Sequence, residues 1–173
     1  MKQEEYVVLV DEHDHELGVM EKLQAHREGK LHRAISVFIF NSEEKLLLQK
    51  RADNKYHSGG LWTNTCCSHP FPNEKPDQAA IRRLQEEMGL QGNLQHVFNF
   101  SYHANVENGL IEHEFDHIYF GFSDEIPVPN PGEVSAWKYA TMQEIEQEMQ
   151  QNPQEFTTWF RLIFQKIKDQ LKK

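Results

Sequence analysis

Cysteines, long apolar runs and positive charges are all scarce in this sequence of 173 residues. The two cysteines, Cys66 and Cys67, are adjacent, so they cannot crosslink distant segments, and such sparse usage is typical of a reducing compartment. No apolar run approaches the roughly 18 to 20 residues that span a bilayer. The acidic start MKQEEY also lacks the basic region of a secretory signal. We therefore expect a cytoplasmic protein with no membrane partner.

The charge balance sets limits on the partners of the chain. Lys and Arg number 18 against 27 Asp and Glu, a formal net charge of -9. This balance argues against a nucleic-acid partner, because general binding to a phosphate backbone needs excess positive charge; a small local anion site stays possible. With 38% hydrophobic and 26% charged residues, the composition is that of a folded soluble protein. The length suits a single domain over residues 1–173.

Hydrophobic periodicity predicts an α+β fold in which many strands accompany a few helices. Strands are predicted over residues 6–10, 34–40, 46–50, 94–106 and 110–122 and around Trp137, with an extended piece over 61–68. Helices are predicted over 77–88, after the capping box at Thr141, and over 153–171. Strands and helices do not alternate regularly, so we expect a mixed β-sheet sandwich flanked by helices, not a doubly wound parallel sheet.

Ten histidines are several times what average composition would supply. One interpretation is a solvated surface, which we expect to hold His13, His15, His57 and His96. The other is that a subset of the histidines binds metal.

Strand alternation places Glu112, Glu114 and Asp116 on one face of the strand near residue 115. Neighbouring carboxylates repel one another, so this face either meets water or holds a cation. The sequence pattern leaves these two alternatives open.

Two further pairs of residues are candidates for catalysis or metal binding. Cys67 and His69 lie two residues apart in an extended segment and can share a face, although a cysteine near a histidine is usually structural. His26 and His32 flank the segment 27–31, which we expect to be a turn. Neither histidine has a helical partner four residues away, so on its own this pair is a weak signal for metal.

The helix over 77–88 and the loop before it resemble the Nudix box, G-x5-E-x7-R-E-U-x-E-E-x-G-U. The matching residues are Glu74, Arg82, Leu84, Glu86, Glu87, Gly89 and Leu90. Ser68 stands where the first glycine belongs, and Arg83 replaces the glutamate after the arginine. A guanidinium in place of a carboxylate removes a metal ligand and favours binding of a diphosphate over its hydrolysis.

Several spaced motifs together resemble the type 1 isopentenyl-diphosphate isomerase family, a branch of the Nudix superfamily. They are Trp62-Thr63-Asn64, Cys67-x-His69-Pro70, the altered Nudix box and Glu112-x-Glu114, and the resemblance extends from about Glu21 to Trp159. It implies a Nudix-like fold and a small-molecule partner, an isoprenoid diphosphate.

The resemblance also implies two metal positions. The ligands of a buried divalent ion would be His26, His32, His69, Glu112 and Glu114. This donor set suits Mn²⁺, Zn²⁺ or Mg²⁺ with little discrimination. A second ion, Mg²⁺ brought by the diphosphate, would use Glu87.

By the same resemblance Cys67, Glu114, Tyr102 and Trp159 would be catalytic, and Lys22, Arg51, Lys55 and Arg83 would contact the diphosphate. Considered singly, Trp159 is a core residue, Lys22 and Lys55 are surface charges and Tyr102 is sheet packing. Their joint agreement with the family favours the functional interpretation.

The register of the two long strands tests the role that the resemblance implies for Tyr102. A two-residue turn at Asn108 and Gly109 would place Tyr102 opposite Phe115, on the face away from Glu114. We therefore expect a loop of odd length or a β-bulge between these strands.

The implied reaction interconverts isopentenyl and dimethylallyl diphosphate through a tertiary carbocation. Glu114, with Tyr102, would deliver a proton on one side of the substrate, and Cys67 would remove one on the other. The N-terminal segment and the last helix are the expected covers of the pocket. The alternatives are a metal-dependent Nudix diphosphate hydrolase and a noncatalytic module that binds metal and diphosphate.

Overall fold

The computed structural model describes residue 2 and residues 5–173. Met1, Gln3 and Glu4, part of the predicted N-terminal cover, lie outside the described residues. The strands are β1 Tyr6–Val10, β2 Glu16–Glu21, β3 His32–Phe40, β4 Leu46–Arg51, β5 Trp62–Thr63, β6 Cys66–Ser68, β7 Leu94–Asn105, β8 Ile111–Phe122 and β9 Val134–Ala140. The helices are α1 Lys22–Glu28, α2 Pro76–Met88, α3 Met142–Gln151 and α4 Thr158–Leu171.

All nine strands belong to one mixed sheet, and β3 lies at its centre. β3 pairs in parallel with β8 from His32 opposite Glu114 to Phe40 opposite Phe122. It pairs antiparallel with β6, β1 and β4. The predicted α+β class with a mixed sheet is confirmed.

Helices pack on both faces of β3 because its side chains alternate between two apolar clusters. Ile35, Val37 and Ile39 belong to the cluster that packs against α2, whereas Phe38 belongs to the cluster that packs against α4. β3 is therefore almost continuously buried. None of the helices of the described chain is long and apolar enough to cross a bilayer.

β2 and α1 were not predicted. No residue of β2 is buried, its apolar Leu17 and Val19 are exposed, and Gly18 lies between them, so the segment does not have the pattern of a half-buried strand. α1 has only seven residues; the Glu21 side chain accepts hydrogen bonds from two backbone N–H groups at its start, and it ends at Gly29 in the left-handed conformation, φ 66°. The predicted turn over 27–31 is thus the C-terminal end of a helix and the return to β3.

The predicted odd-length loop is confirmed. Asn105 pairs with Ile111, so five residues, Val106 to Leu110, connect the strands and include a 3₁₀ turn at Glu107–Gly109. The register places Tyr102 opposite Glu114. Both side chains therefore lie on the same face of the sheet.

The last helix starts later than expected. Pro153–Glu155 forms a separate 3₁₀ turn, and α4 begins at Thr158. Phe156, between them, is buried and pairs with Trp62, while the Thr157 N–H donates to the Trp62 carbonyl. The sheet holds these two residues in extended conformation, so the helix cannot begin before them.

Candidate active site

His26 on α1 and His32 at the start of β3 present the same nitrogen to the protein interior. In each ring Nδ1 faces a main-chain carbonyl, that of Lys22 at 2.7 Å for His26 and that of Lys30 at 2.8 Å for His32. Both Nε2 atoms are buried, and among the described residues neither has a hydrogen-bond partner. Donation from Nδ1–H to a carbonyl leaves a lone pair on Nε2, as in histidines that coordinate metal.

Carboxylates face these nitrogens. His26 Nε2 lies 3.3 Å from Glu112 Oε1, His32 Nε2 lies 3.5 Å from Glu114 Oε1, and His69 Nε2 lies 3.1 Å from Glu114 Oε1. The register accounts for one of these contacts, because β3 and β8 pair His32 with Glu114.

All three acidic side chains of β8 are buried, with Glu112 3%, Glu114 8% and Asp116 2% exposed. The alternative of a face that meets water is therefore wrong. Asp116 stands apart from the histidines: it accepts a hydrogen bond of 2.6 Å from Ser36 Oγ. Burial and the neighbouring Glu114 carboxylate raise the pKa of Asp116 well above its ordinary value.

The donor chemistry fits a divalent ion. Donor atoms of His26, His32, His69 and Glu114 all lie within 4.8 Å of one another, and Glu112 lies against His26. Burial lowers the pKa of His69 to about 4 although Glu114 acts in the opposite direction, so this imidazole is neutral at neutral pH. A neutral imidazole at His69 and the neighbouring carboxylates are nitrogen and oxygen donors of the kind found in mixed metal sites. The structure thus brings four of the five residues predicted to bind the buried ion into one group, and it places the fifth, Glu112, in a second group that shares His26.

Glu114 has a second partner on β7. The Tyr102 hydroxyl donates a hydrogen bond of 2.8 Å to Glu114 Oε2, while Glu114 Oε1 faces the histidines. Burial, followed by the charge of Glu114, raises the pKa of Tyr102 well above 10, so the phenol keeps its proton. For Glu114 itself, burial acts to raise the pKa, but contacts with Glu112, His32 and His69 outweigh it and lower the pKa well below its ordinary value.

Cys67 lies where two cavities meet. A small cavity of about 30 Å³ is lined by Cys67, Tyr102, Glu114 and Trp159, among others. A larger cavity of about 310 Å³ also includes Cys67. Burial raises the pKa of the Cys67 thiol, with Arg51 acting in the opposite direction, so the thiol is protonated at neutral pH. Cys66, by contrast, is fully buried in the cluster that packs against α2.

The larger cavity collects positive side chains from distant parts of the chain. Its lining includes Lys22, Arg51, Lys55 and Arg83, the four residues predicted to contact a diphosphate. Arg51 is buried and donates to the His57 carbonyl at 3.2 Å. The ammonium of Lys22 lies 5.1 Å from the centre of the Tyr56 ring, and burial lowers its pKa.

Two carboxylates balance these cations. Glu87 is separate from the histidines: it accepts from Arg83 at 2.5 Å and from Gln49 at 2.7 Å. Glu133, which the sequence did not single out, accepts from Lys55 and lies 3.5 Å from Arg83. Burial acts to raise the pKa of Glu133, but Lys55 and Arg83 outweigh it, so Glu133 stays ionised.

The Nudix-like box locks the loop before α2 onto the helix. Arg82 donates two hydrogen bonds to Glu74, of 2.7 and 2.8 Å, and its guanidinium lies 3.6 Å from the centre of the Phe71 ring. Such a bidentate contact fixes orientation as well as distance. The box therefore holds the loop that follows His69.

Trp159, at the start of α4, forms part of the wall of the small cavity. It is 5% exposed, and the Arg51 guanidinium carbon lies 5.2 Å from the centre of its ring. Glu5 and Tyr6 line the larger cavity. α4 and the first described residues of the chain thus border the cavities that they were predicted to cover.

One histidine was placed wrongly from the sequence. His57 was expected on a solvated surface, but it is 3% exposed and contacts Glu112. It follows β4 in an irregular loop, where no periodicity indicates which side chains point inward. Only the position of His57 between Arg51 and Trp62, in a segment rich in predicted site residues, could have suggested that it lies at the site.

The comparisons with known proteins concern the fold and the family of the chain. Residues 30–160 match the NUDIX domain family. A protein of Deinococcus radiodurans has a TM-score of 0.72 at 20% identity, covering 84% of this chain and 88% of that one, and a MutT protein of Methanosarcina mazei has 0.68 at 15%, covering 83% and 96%. At these identities the likeness shows the fold alone, which is that of a Nudix domain.

Sequence relatives show which family within the Nudix superfamily the chain resembles. A protein of Pectobacterium atrosepticum, named isopentenyl-diphosphate Delta-isomerase, is 58% identical over 163 residues, covering 94% of this chain and 91% of the relative. Isopentenyl-diphosphate Delta-isomerase 2 of Aromatoleum aromaticum is 49% identical over 164 residues, covering 95% and 87%. The chain belongs to the isopentenyl-diphosphate Delta-isomerase family within the Nudix superfamily.

Proposed function

We propose that this protein is an isomerase that interconverts isopentenyl and dimethylallyl diphosphate through a tertiary carbocation. The observation that carries the proposal is that Cys67, Glu114 and Trp159 line one small cavity. Cys67 and Arg51 also line a larger cavity whose wall has five Lys and Arg side chains, among them the four predicted to contact a diphosphate. The larger cavity suits a diphosphate. The smaller has space for about one or two water molecules, so it would have to widen to take the hydrocarbon tail. Relatives with this name support the same activity.

The basic residues anchor the substrate. Lys22, Arg51, Lys55 and Arg83 would bind the diphosphate, with charge-assisted hydrogen bonds worth about 1.5–3 kcal/mol each. Glu87, at the same cavity, would hold a Mg²⁺ ion that arrives with the diphosphate.

Glu114 and Cys67 form the acid and base pair. Glu114, with Tyr102, would deliver a proton to the alkene, and Cys67 would remove one from the neighbouring carbon. Because the reaction is reversible, the two groups exchange these roles in the opposite direction. The raised pKa of Cys67 suits the direction in which the thiol donates.

His26, His32, His69, Glu112 and Glu114 would hold a divalent ion, Mn²⁺, Zn²⁺ or Mg²⁺. When bound, such an ion supplies fixed positive charge beside one Glu114 oxygen. Tyr102 occupies the other oxygen. The carboxyl group is thereby held in one orientation.

Trp159 would stabilise the carbocation through the face of its indole ring, a contribution of about 2 kcal/mol in a site without water. Exclusion of water is needed because water would trap the cation as an alcohol. α4, which carries Trp159, and the chain around Tyr6 are the elements suited to close the site.

The decisive experiment is incubation of isopentenyl diphosphate with the purified protein and divalent metal in deuterated water. We expect labelled dimethylallyl diphosphate from the wild type and from Cys66→Ala, the matched control. Cys67→Ala and Glu114→Gln should lose activity by about 10²- to 10⁴-fold, the range for a positioned acid or base. Equal labelling by Cys67→Ala would remove the thiol from the mechanism.

The same assay separates the two alternatives. Release of phosphate without an allylic product would identify a Nudix hydrolase. Binding of metal and diphosphate without incorporation of deuterium would identify a noncatalytic module.

A further inference from the structure

His57 is the one buried histidine beside the candidate metal group to which the resemblance gave no role. It belongs to a second cluster, with His26 and Glu112, whose donor atoms all lie within 4.8 Å of one another. His57 Nε2 contacts Glu112 Oε1, the same oxygen that lies 3.3 Å from His26 Nε2. This buried nitrogen makes no regular hydrogen bond within the described chain, so its close approach to Glu112 is the polar contact from which a role can be argued.

We propose that His57 is a positioning residue of the metal site, whose Nε2–H donates to Glu112 and holds that carboxylate against His26. This inference rests on the metal site of the proposed function. Coordinating carboxylates are commonly oriented by a hydrogen-bond donor that does not itself touch the ion. Nothing in the sequence motifs assigns this role.

The arrangement of donors places His57 outside the main set. His26, His32, His69 and Glu114 form one mutually close set, and His57 and Glu112 form a second set that shares only His26 with it. His57 therefore reaches the main set through Glu112 and His26.

The surroundings of His57 hold its ring in place. The Glu112 carboxylate, which can only accept, favours a proton on Nε2, and the Ser58 hydroxyl, 3.0 Å from Nδ1, can then donate to that nitrogen. The Tyr56 ring lies 4.4 Å away at 80°, and the Trp159 ring lies 5.8 Å away at 90°. The Ser58 N–H donates to Glu107 at 2.6 Å, which anchors the loop to the turn between β7 and β8.

The position of His57 also connects the metal group to the substrate cavities. Its carbonyl accepts from Arg51, and its ring meets Trp159. His57 thus contacts Glu112 of the metal group and also Arg51 and Trp159, the residues proposed to bind the diphosphate and to face the carbocation.

The test is the affinity of the apoprotein for Mn²⁺ and Co²⁺, measured by competition with a chromophoric chelator. We expect His57→Ala to bind about 10- to 100-fold more weakly than wild type, the usual loss for a partner outside the ligand set. His57→Gln, whose amide N–H can donate to Glu112, should recover most of the affinity. His57→Phe keeps the aromatic contacts without the donor, and it replaces the alanine variant if that variant does not fold.

Two controls distinguish a failure of this inference from a failure of the metal site. His96→Ala removes an exposed histidine and should bind metal as the wild type does. His26→Ala removes a proposed ligand and is the reference for the loss of one. The absorption spectrum of the Co²⁺ form of His57→Ala should keep the wild-type shape at saturation, because the ligands are unchanged.

Two results would overturn the positioning role. One is wild-type affinity in both His57→Ala and His57→Phe. The other is a loss as large as that of His26→Ala in both His57→Ala and His57→Gln, with an altered Co²⁺ spectrum, which would make His57 a ligand. Failure of the wild type to bind either ion would instead refute the metal site.

Discussion

The histidine and glutamate group and the cation-lined cavity are both crowded with polar side chains. They differ in whether those side chains already have hydrogen-bond or ion-pair partners. In the first, the Nε2 atoms of His26 and His32 are buried and have no hydrogen-bond partner among the described residues. In the second, Lys55 and Arg83 already pair with Glu133 and Glu87. A cation can enter the first group without breaking any hydrogen bond of these nitrogens, whereas an anion in the second competes with carboxylates for the same cations. We therefore expect the first to control metal affinity and the second to control exchange of the diphosphate.

The largest expected effect concerns the first group. His32→Ala should weaken metal binding by more than about 100-fold, because loss of a ligand exceeds loss of an outer partner. Deuterium incorporation should fall with it. Competition with a chelator measures the affinity, and His103→Ala, an exposed histidine on β7, is the control. Unchanged affinity in His32→Ala would break the proposed contrast between the two regions.

Tyr102→Phe tests whether Tyr102 acts on turnover and not on metal binding in the first group. It removes the hydrogen bond to Glu114 Oε2 and leaves the histidines in place. We expect turnover to fall about 10- to 100-fold, within the range for loss of one polar contact to an acid, while metal affinity stays close to wild type. Tyr139→Phe, whose hydroxyl makes only a contact of 3.4 Å to a carbonyl, is the matched control. A loss of metal without a loss of turnover would contradict the role of Tyr102.

In the second region, Arg83→Glu restores the glutamate of the Nudix pattern. The loss of a charge-assisted contact, worth about 1.5–3 kcal/mol, should raise KM for isopentenyl diphosphate about 10- to 150-fold. Metal affinity of the histidine group should not change, which a chelator competition will show. Arg161→Glu, exposed on α4, controls for the change in net charge. A normal KM in Arg83→Glu would remove this residue from the diphosphate site.

The fold and much of the site were accessible from the sequence, because periodicity and spacing are local properties. Alternation on β8 placed Glu112 and Glu114 on one face, and the odd loop length followed from requiring Tyr102 beside Glu114. Burial was not accessible in the same way: the pattern of β8 fits a wet face as well as a metal site.

Contacts made by irregular segments were the hardest to foresee. His57 and Glu133 follow no repeat, and each is placed by the tertiary packing of a loop. The short helix α1 was missed because its cap is Glu21, not one of the residues that usually precede a helix. The family resemblance supplied the roles that spacing alone could not.

The lock between Glu74 and Arg82 supports the loop that joins the two regions. Burial acts to raise the pKa of Glu74, but the contacts from Arg82 and the Phe71 N–H outweigh it, so the pKa lies below 4.5. A lowered folded-state pKa gives stability that is present above the unfolded pKa and is lost as pH falls through the folded value. We expect Glu74→Gln to lower the free energy of unfolding by about 1–2 kcal/mol at pH 7.

Urea unfolding of the wild type and Glu74→Gln at pH 7 and at pH 3 measures this difference, which should shrink in acid. Glu43→Gln, at an exposed ion pair with Lys45, is the control and should change little at either pH. A difference that is the same at both pH values would show that the ionisation of Glu74 contributes nothing.

The smallest expected effect is that of Glu133→Gln. Removal of its charge frees Lys55 and weakens one contact of Arg83, so inorganic diphosphate should bind roughly 2- to 5-fold more tightly, which corresponds to a partly exposed ion pair. Isothermal titration with and without Mg²⁺ measures the gain. Glu148→Gln on α3, which loses a comparable pair with Lys138 of β9, should show none. Weaker binding would mean that Glu133 holds Lys55 and Arg83 in position for the anion. In that case the ion pairs of the second region would organise the site and would not compete with the anion. The proposed contrast with the nitrogens of the first region, which lack hydrogen-bond partners among the described residues, would then not hold.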